Sequence, residues 1–218
     1  MRFIRIVTTF FSMTLQRNNK NDMNNDTQKV IDAIMTRTSV RQYTDEPITD
    51  QEIETLLKAG MAAPSACNLQ PWRFVVVTNP VVKKAISEQI KPAGPASKAP
   101  VVIVVCGDMD HTFEAAPDYW AEDCSAATEN IMLAAHAMGL GTVWMGIYPQ
   151  KERYELLKDL LNLPNNIKAF GMIAVGHPAE HPATKDKWDA DKVITRNGNI
   201  IAVQKKESLQ FRRTLFFV

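Results

Sequence analysis

Surplus charge is what this sequence most plainly lacks. Its 25 Lys and Arg nearly balance 24 Asp and Glu, leaving a formal net charge of +1. No broad basic field is available to nucleic acid, so any anion has to be held by a few placed cations. Cysteine is scarce as well. Cys67, Cys106 and Cys124 are far apart, odd in number and without a Cys-x-x-Cys pair. That argues against a disulfide framework or a zinc ribbon and favours a reducing compartment, so a cytoplasmic protein is expected. A membrane-spanning run is missing too. Residues 1–15, MRFIRIVTTFFSMTL, place two arginines before an apolar stretch, as a secretory signal does. Thr8, Thr9, Ser12 and Thr14 dilute that stretch, it is too short for a bilayer, and no small-x-small cleavage site follows. Gly139 and Gly141 make only a Gly-x-Gly, placed after a helical pattern. That is the wrong order for a Rossmann phosphate loop, so no ribose-reading acid is available to tell NADH from NADPH.

What is present suits one sizeable domain. The chain has 218 residues, 45% of them apolar, enough for a core that encloses a cofactor. Residues 1–25 end in the polar, Asn-rich QRNNKNDMNN and read as a flexible extension. Residues 26–203 read as the domain. Residues 204–218, with Phe211-Arg212-Arg213 and Phe216-Phe217, read as an arm.

Helices and strands alternate. Val30, Ile31, Ile34 and Met35 predict a helix over about 27–36. Thr49-Asp50-Gln51-Glu52 is a capping box for a second helix that stops near Ala63, ahead of Pro64. Phe74–Val77 and Val101–Cys106 read as buried strands, with a helix over 81–90 between them and a Pro-rich loop over 91–100. Residues 107–118 read as irregular. A helix over 123–138, rich in alanine, is capped by Gly139. A strand over 142–147, a helix opened by Pro149, and a strand over 169–175 complete the pattern. Ile200–Val203 reads as an edge strand or an arm.

Two segments carry recognisable chemistry. Arg37, Ser39 and Arg41 alternate, so in an extended stretch they share a face. Two guanidinium forks and a hydroxyl suit a phosphate. An ordinary basic helix end, placed by the macrodipole, explains the same residues. In Pro64-Ser65-Ala66-Cys67-Asn68-Leu69-Gln70-Pro71-Trp72, prolines stiffen the backbone, and Asn68 and Gln70 can read the edge of a flat heterocycle. A rigid helix-to-strand turn with Trp72 in the core is the alternative.

Taken with Gly139-Leu140-Gly141-Thr142-Val143-Trp144-Met145-Gly146 and Ala174-Val175-Gly176-His177-Pro178, these segments resemble the four motifs of the nitroreductase family in order and spacing. The resemblance covers about 29–193. It implies an α+β fold: a three-layer sandwich whose central sheet, mixed but mostly antiparallel, is flanked by helices, in an intertwined homodimer with two FMN molecules at the interface. Arg37, Thr38, Ser39 and Arg41 would hold the FMN phosphate and ribityl chain, aided by Lys185 and Lys187. Thr38 stands where many relatives carry a second basic residue, so its share would come from backbone or hydroxyl. Pro64, Ser65, Ala66, Asn68 and Gln70 would touch FMN held mainly by the other copy. Trp144, Met145 and Gly146 would lie along the isoalloxazine ring, with a backbone amide near its reactive edge. No protein nucleophile or acid–base dyad is expected, because the cofactor carries the chemistry. The implied activity is ping-pong electron transfer from NAD(P)H to nitroaromatic, quinone or similar acceptors, without nucleic acid or membrane. Dehalogenation, enone reduction, flavin fragmentation and a non-catalytic flavin carrier or sensor share the same cofactor site.

Other residues have plainer readings. His177 and His181 have a helical metal-pair spacing, but Pro178 between them opposes a helix. Asp108, Asp110, His111 and Glu114 read as a solvated acidic loop or part of a substrate lid, with a cation site as the alternative. Cys67 reads as a small packed residue, with a redox-active thiol as the alternative. His136 reads as structural. Trp120, Trp144 and Phe113 are either core or an aromatic pocket. Residues 91–97 and 107–120 are the expected substrate-pocket segments.

Overall fold

A computed structural model describes residues 25–193. The chain divides into two units, Met1–Thr184 and Lys185–Val218. The predicted extension over 1–25, except Asn25, which opens a helix, together with the strand at Ile200–Val203 and the arm from 204, lies outside the described residues.

In the first unit, helices α1 (Asn25–Thr36) and α2 (Asp50–Met61) lead into strand β1 (Trp72–Val77). Helix α3 (Pro80–Gln89), strand β2 (Val101–Asp108), helix α4 (Tyr119–Ala137), strand β3 (Gly141–Gly146), helix α5 (Lys151–Leu161) and strand β4 (Ile167–Gly176) follow. The strands form one antiparallel sheet in the order β1-β2-β4-β3, which leaves β3 at an edge. The second unit, as far as it is described, holds one short 3-10 turn, Ala190–Lys192, braced by an Asp189–Lys192 ion pair of 3.3 Å.

Alternation along the strands builds three layers. Ile103, Val105, Ile173 and Val175 turn to one face and pack with Leu56 of α2 and Cys124, Ala127 and Ile131 of α4. Val102, Val104, Met172 and Ala174 turn to the other face and pack with Ile86 and Ile90 of α3 and its flank and Leu157 of α5. All eight residues of β2 are buried, which accounts for its unbroken apolar run. Each fully buried Ile or Leu here contributes roughly 1.5–3 kcal/mol of apolar burial. The expected three-layer α+β sandwich is therefore the observed architecture, and all its strand pairs are antiparallel.

Local signals explain the boundaries. The Thr49 hydroxyl accepts from Glu52 N, and the Glu52 carboxylate accepts from Thr49 N at 2.8 Å, so the capping box starts α2 as read. Gly139 takes φ +79 after α4, the left-handed conformation that favours glycine. Two helix starts differ from expectation. Helix α4 begins at Tyr119, because Trp120 is buried and packs edge-on against Tyr148 and Phe170. Pro149 sits in the turn before α5, whose first helical residue is Lys151. Residues 91–100 are tied down as well: Ala93, Ala96 and Ala99 are buried, and Lys83 Nζ donates to Ala99 O and Pro100 O at 2.7 Å.

Candidate functional site

The segment after α1 is stitched to two elements. Val40 N donates to Thr142 O at 2.9 Å, and Ser39 bridges Thr142 in parallel, so 38–41 runs along the free edge of β3. Val40 is buried, and its side chain fills the space where Gly141 has no Cβ. A Cβ there would stand 2.7 Å from Val40 Cγ1. Behind the segment, Thr36 Oγ1 donates to Asp32 O at 2.6 Å and lies 2.8 Å from His136 Nε2 on α4. With its own proton committed to Asp32, the hydroxyl accepts from His136, which assigns the imidazole proton to Nε2. Burial first, and then the Arg37 charge, lowers the His136 pKa and keeps that imidazole neutral.

The two arginines of the segment have different surroundings. Arg37 folds onto α4, where its Nε lies 3.6 Å from Glu129 Oε1 and its side chain is only 17% exposed. Its Nη1 is buried with no hydrogen-bond partner. Arg41 is exposed. Its backbone N donates to Glu180 Oε1 at 2.6 Å and its Nη1 makes a long 3.5 Å contact with Ser39 O. Thr38 lines an open groove of about 270 Å³ with Thr36, His136, Glu180 and His181.

The second segment is a stiff, strained turn. Cys67, Asn68 and Gln70 take φ of 49, 57 and 51, a region that costs a non-glycine residue on the order of 1 kcal/mol or more. Its own bonds support that strain. Ser65 Oγ accepts from Gln70 N at 3.0 Å, Gln70 Nε2 donates to Asn68 Oδ1 at 3.1 Å, and Ala66 N donates to the buried Asp123 of α4 at 2.8 Å. Pro71 and Trp72 are buried, while the amide side chains of Asn68 and Gln70 are exposed. Cys67 is exposed, which overturns its reading as a packed residue. Its φ and its neighbours turn it outward.

Helix α4 carries both segments. Asp123 holds the second, while Glu129 and His136 hold the first. Six residues separate Asp123 from Glu129, about 9 Å along a helix. Sequence reasoning missed Glu129 and Asp123. The usable signal was the spacing of Glu129 and His136, which lie on one helical face.

At the end of β3 the strand alternation decides what is offered. Thr142 O faces the free edge, so Trp144 and Gly146 direct their N–H and C=O the same way, and Val143 and Met145 bond to β4. The Met145 side chain is buried in the α3/α5 layer. It cannot lie along a ligand, which corrects the expectation for that residue and leaves only its backbone. Trp144 is half-buried against Phe170, with centroids 5.6 Å apart. Gly146 is exposed, with nothing near its Cβ position. Arg153 Nη1 donates to Gly146 O at 3.2 Å.

The remaining candidates resolve as structure. Asp108 is buried, not solvated. It accepts from Arg73 Nη2 at 2.8 Å, Asn166 Nδ2 at 2.9 Å, Asp110 N at 3.2 Å and His111 Nδ1 at 2.9 Å. Burial alone would raise its pKa, but these bonds and the Arg73 charge hold it below the usual carboxylate range. Trp120 is core, and Phe113 stacks on Tyr119 at 6.3 Å. His177 lies 3.7 Å from Glu46. Among the described residues no cluster of three His, Cys, Asp or Glu could hold a metal, and no helix is long and apolar enough to cross a membrane. Burial pushes the Cys106 thiol up to about 12 and raises Cys124 further, so neither supplies a thiolate. Lys185 and Lys187 are exposed residues of the second unit.

This geometry can be set beside known proteins. The sequence model of the nitroreductase family matches residues 34–107 and 91–177. The chain belongs to the nitroreductase family. It is 42% identical over 165 residues to a Methanothermobacter thermautotrophicus protein provisionally named an NADH dehydrogenase/NAD(P)H nitroreductase, covering 75% of this chain and 85% of that one. Its fold is similar to a provisionally named nitroreductase from Desulfovibrio desulfuricans, solved in complex with FMN. That match has 30% identity and a TM-score of 0.67, and covers 78% of this chain and 98% of that one. It is also similar to the NADPH:FMN oxidoreductase of Vibrio harveyi, solved with NAD+, at 27% identity and a TM-score of 0.70, covering 79% and 78%.

Proposed function

We propose that this chain is an NAD(P)H-dependent FMN oxidoreductase that passes electrons to quinones, nitroaromatics or similar small acceptors. The observation that carries the reading is the buried, unpartnered Nη1 of Arg37. A charged donor buried without a partner is costly, and the FMN phosphate is the anion that satisfies it. Family membership supplies the rest of the support.

The chemistry a bound FMN supplies is two-electron transfer between reduced nicotinamide and acceptor. Arg37, Ser39 and Arg41 hold its phosphate and ribityl chain, with Thr38 contributing backbone. A dianion calls for several such cations. Glu129 holds the Arg37 guanidinium from behind. Trp144 and Gly146 present edge amides along the ring, and the bare Gly146 leaves room for close approach. Pro64, Ser65, Ala66, Asn68 and Gln70 serve cofactor held mainly by a second copy. Their strained turn presents Asn68 and Gln70 without further ordering.

A homodimer belongs to the same reading. In α1, Val30, Ile31, Ile34 and Met35 are 61, 39, 51 and 68% exposed. An apolar stripe this open on a helix calls for a cover, and a second copy supplies it. Donor and acceptor use one open face in turn. Steady-state rates at several fixed NADH concentrations test this: parallel double-reciprocal lines are expected, and intersecting lines would contradict alternation.

A further inference from the structure

We propose that Arg153 is a specificity-determining residue that selects acceptors bearing an acid group, a carboxylate or sulfonate, on the ring to be reduced. This rests on the FMN reading above, which puts the β3 edge at Gly146 beside the reactive part of the flavin.

Arg153 breaks a local rule. It sits in the first turn of α5, at the positive end of the helix dipole, where an acidic residue is favoured. Among the described residues it makes no ion pair, and its side chain makes one hydrogen bond, from Nη1 to Gly146 O at 3.2 Å. Its backbone N is committed to Gln150 O at 3.0 Å. A carbonyl orients a guanidinium without neutralising it, and four of its five N–H groups remain to be used. Side chains of a first turn lean back toward the helix N-terminus, which explains how Arg153 reaches the strand end. A local rule broken without a structural partner marks a functional position.

The position selects the acceptor over the donor. The guanidinium is anchored on the residue whose amide faces the ring edge, so its anion lies close to the reacting ring. An acid group attached directly to an aromatic acceptor meets that distance. The diphosphate of a nicotinamide donor is separated from its ring by a ribose and does not.

The test compares KM values of the FMN-loaded protein for a naphthoquinone sulfonate, for its uncharged parent and for NADH. In Arg153→Gln the sulfonate-to-parent KM ratio is expected to rise about ten-fold, the scale of one charge-assisted hydrogen bond. Arg153→Lys keeps most of the preference, and high salt erases it in the unaltered protein. Lys84→Gln, which removes an exposed cation elsewhere, leaves the ratio as it was. An unchanged ratio, or a rise confined to the NADH KM, overturns the proposal. Bound FMN is assayed in the same preparations: protein that retains no FMN refutes the cofactor reading itself, whereas loaded protein with an unchanged ratio refutes only the role of Arg153.

Discussion

Gly141→Ala is expected to dislodge the proposed cofactor anchor without altering any of its residues. The new methyl would stand 2.7 Å from Val40 Cγ1, 2.9 Å from Val40 Cβ and 3.2 Å from Pro178 Cβ. Val40 is β-branched and buried, with little rotamer freedom to yield. Segment 38–41 therefore has to lift from β3, straining the Val40 N to Thr142 O bond. Overpacking of this kind costs about 1–3 kcal/mol, and losing the backbone bond adds on the order of 1 kcal/mol. Val40→Ala alone costs about 2 kcal/mol through lost burial and a cavity. In the double variant the 2.7 Å clash with Val40 Cγ1 is gone, while the 2.9 Å contact with the Cβ that alanine keeps remains, so the two costs should add only in part. A favourable coupling of at least about 1 kcal/mol is expected from urea unfolding of the four proteins. FMN affinity, followed by flavin fluorescence, should fall in Gly141→Ala and recover in part in the double variant. Additivity within about 0.4 kcal/mol, or FMN affinity untouched in Gly141→Ala, would refute the seating of the anchor on Gly141.

Arg37→Ala should weaken FMN binding about 10- to 100-fold, the worth of charged hydrogen bonds to phosphate. Since Nη1 has no partner in the protein itself and the Nε contact with half-exposed Glu129 is long at 3.6 Å, the same change should cost the cofactor-free protein about 1 kcal/mol or less in urea, and a large loss there would show a purely structural role. Asp108→Asn should cost about 2 kcal/mol, because buried Asp108 accepts four hydrogen bonds as a carboxylate. Its lowered pKa gives stability that is full above the unfolded value and is lost as pH falls through the folded one; a stability–pH curve unchanged in the acid limb of the variant would contradict this. His136 has its folded pKa depressed. Stability should therefore be full above its unfolded value and decline as pH falls below it, and His136→Gln should flatten that decline in thermal melts. Ile34→Asp should leave the monomer fold intact, since Ile34 is 51% exposed, and should shift mass in solution from dimer to monomer by light scattering.

Much of this molecule is legible from local chemistry. The capping box at Thr49–Glu52, the left-handed Gly139 and the unbroken apolar run of β2 each state their structure within a few residues. The two proposed anchor segments also stand out locally, because arginines four apart around a serine, and prolines around polar residues, are short-range patterns. What was hidden depends on distant partners. Asp108 looks like a loop acid until Arg73 and Asn166 arrive from 35 and 58 residues away. Helix α4 starts before its alanine run because Trp120 finds Tyr148 and Phe170. The burial of Met145 follows only once β3 is known to be the edge strand and its alternation is phased by Val40. The exposure of Cys67 follows from three positive φ values that no propensity signals.

The most direct test is an anaerobic titration of purified protein loaded with FMN. Added NADH or NADPH should bleach the oxidised-flavin band, and a quinone added afterwards should restore it without oxygen. Protein that fails to retain FMN, or bound FMN that stays oxidised in the presence of both nucleotides, would contradict the assignment of Arg37, Ser39, Arg41 and Gly146 to a redox cofactor site.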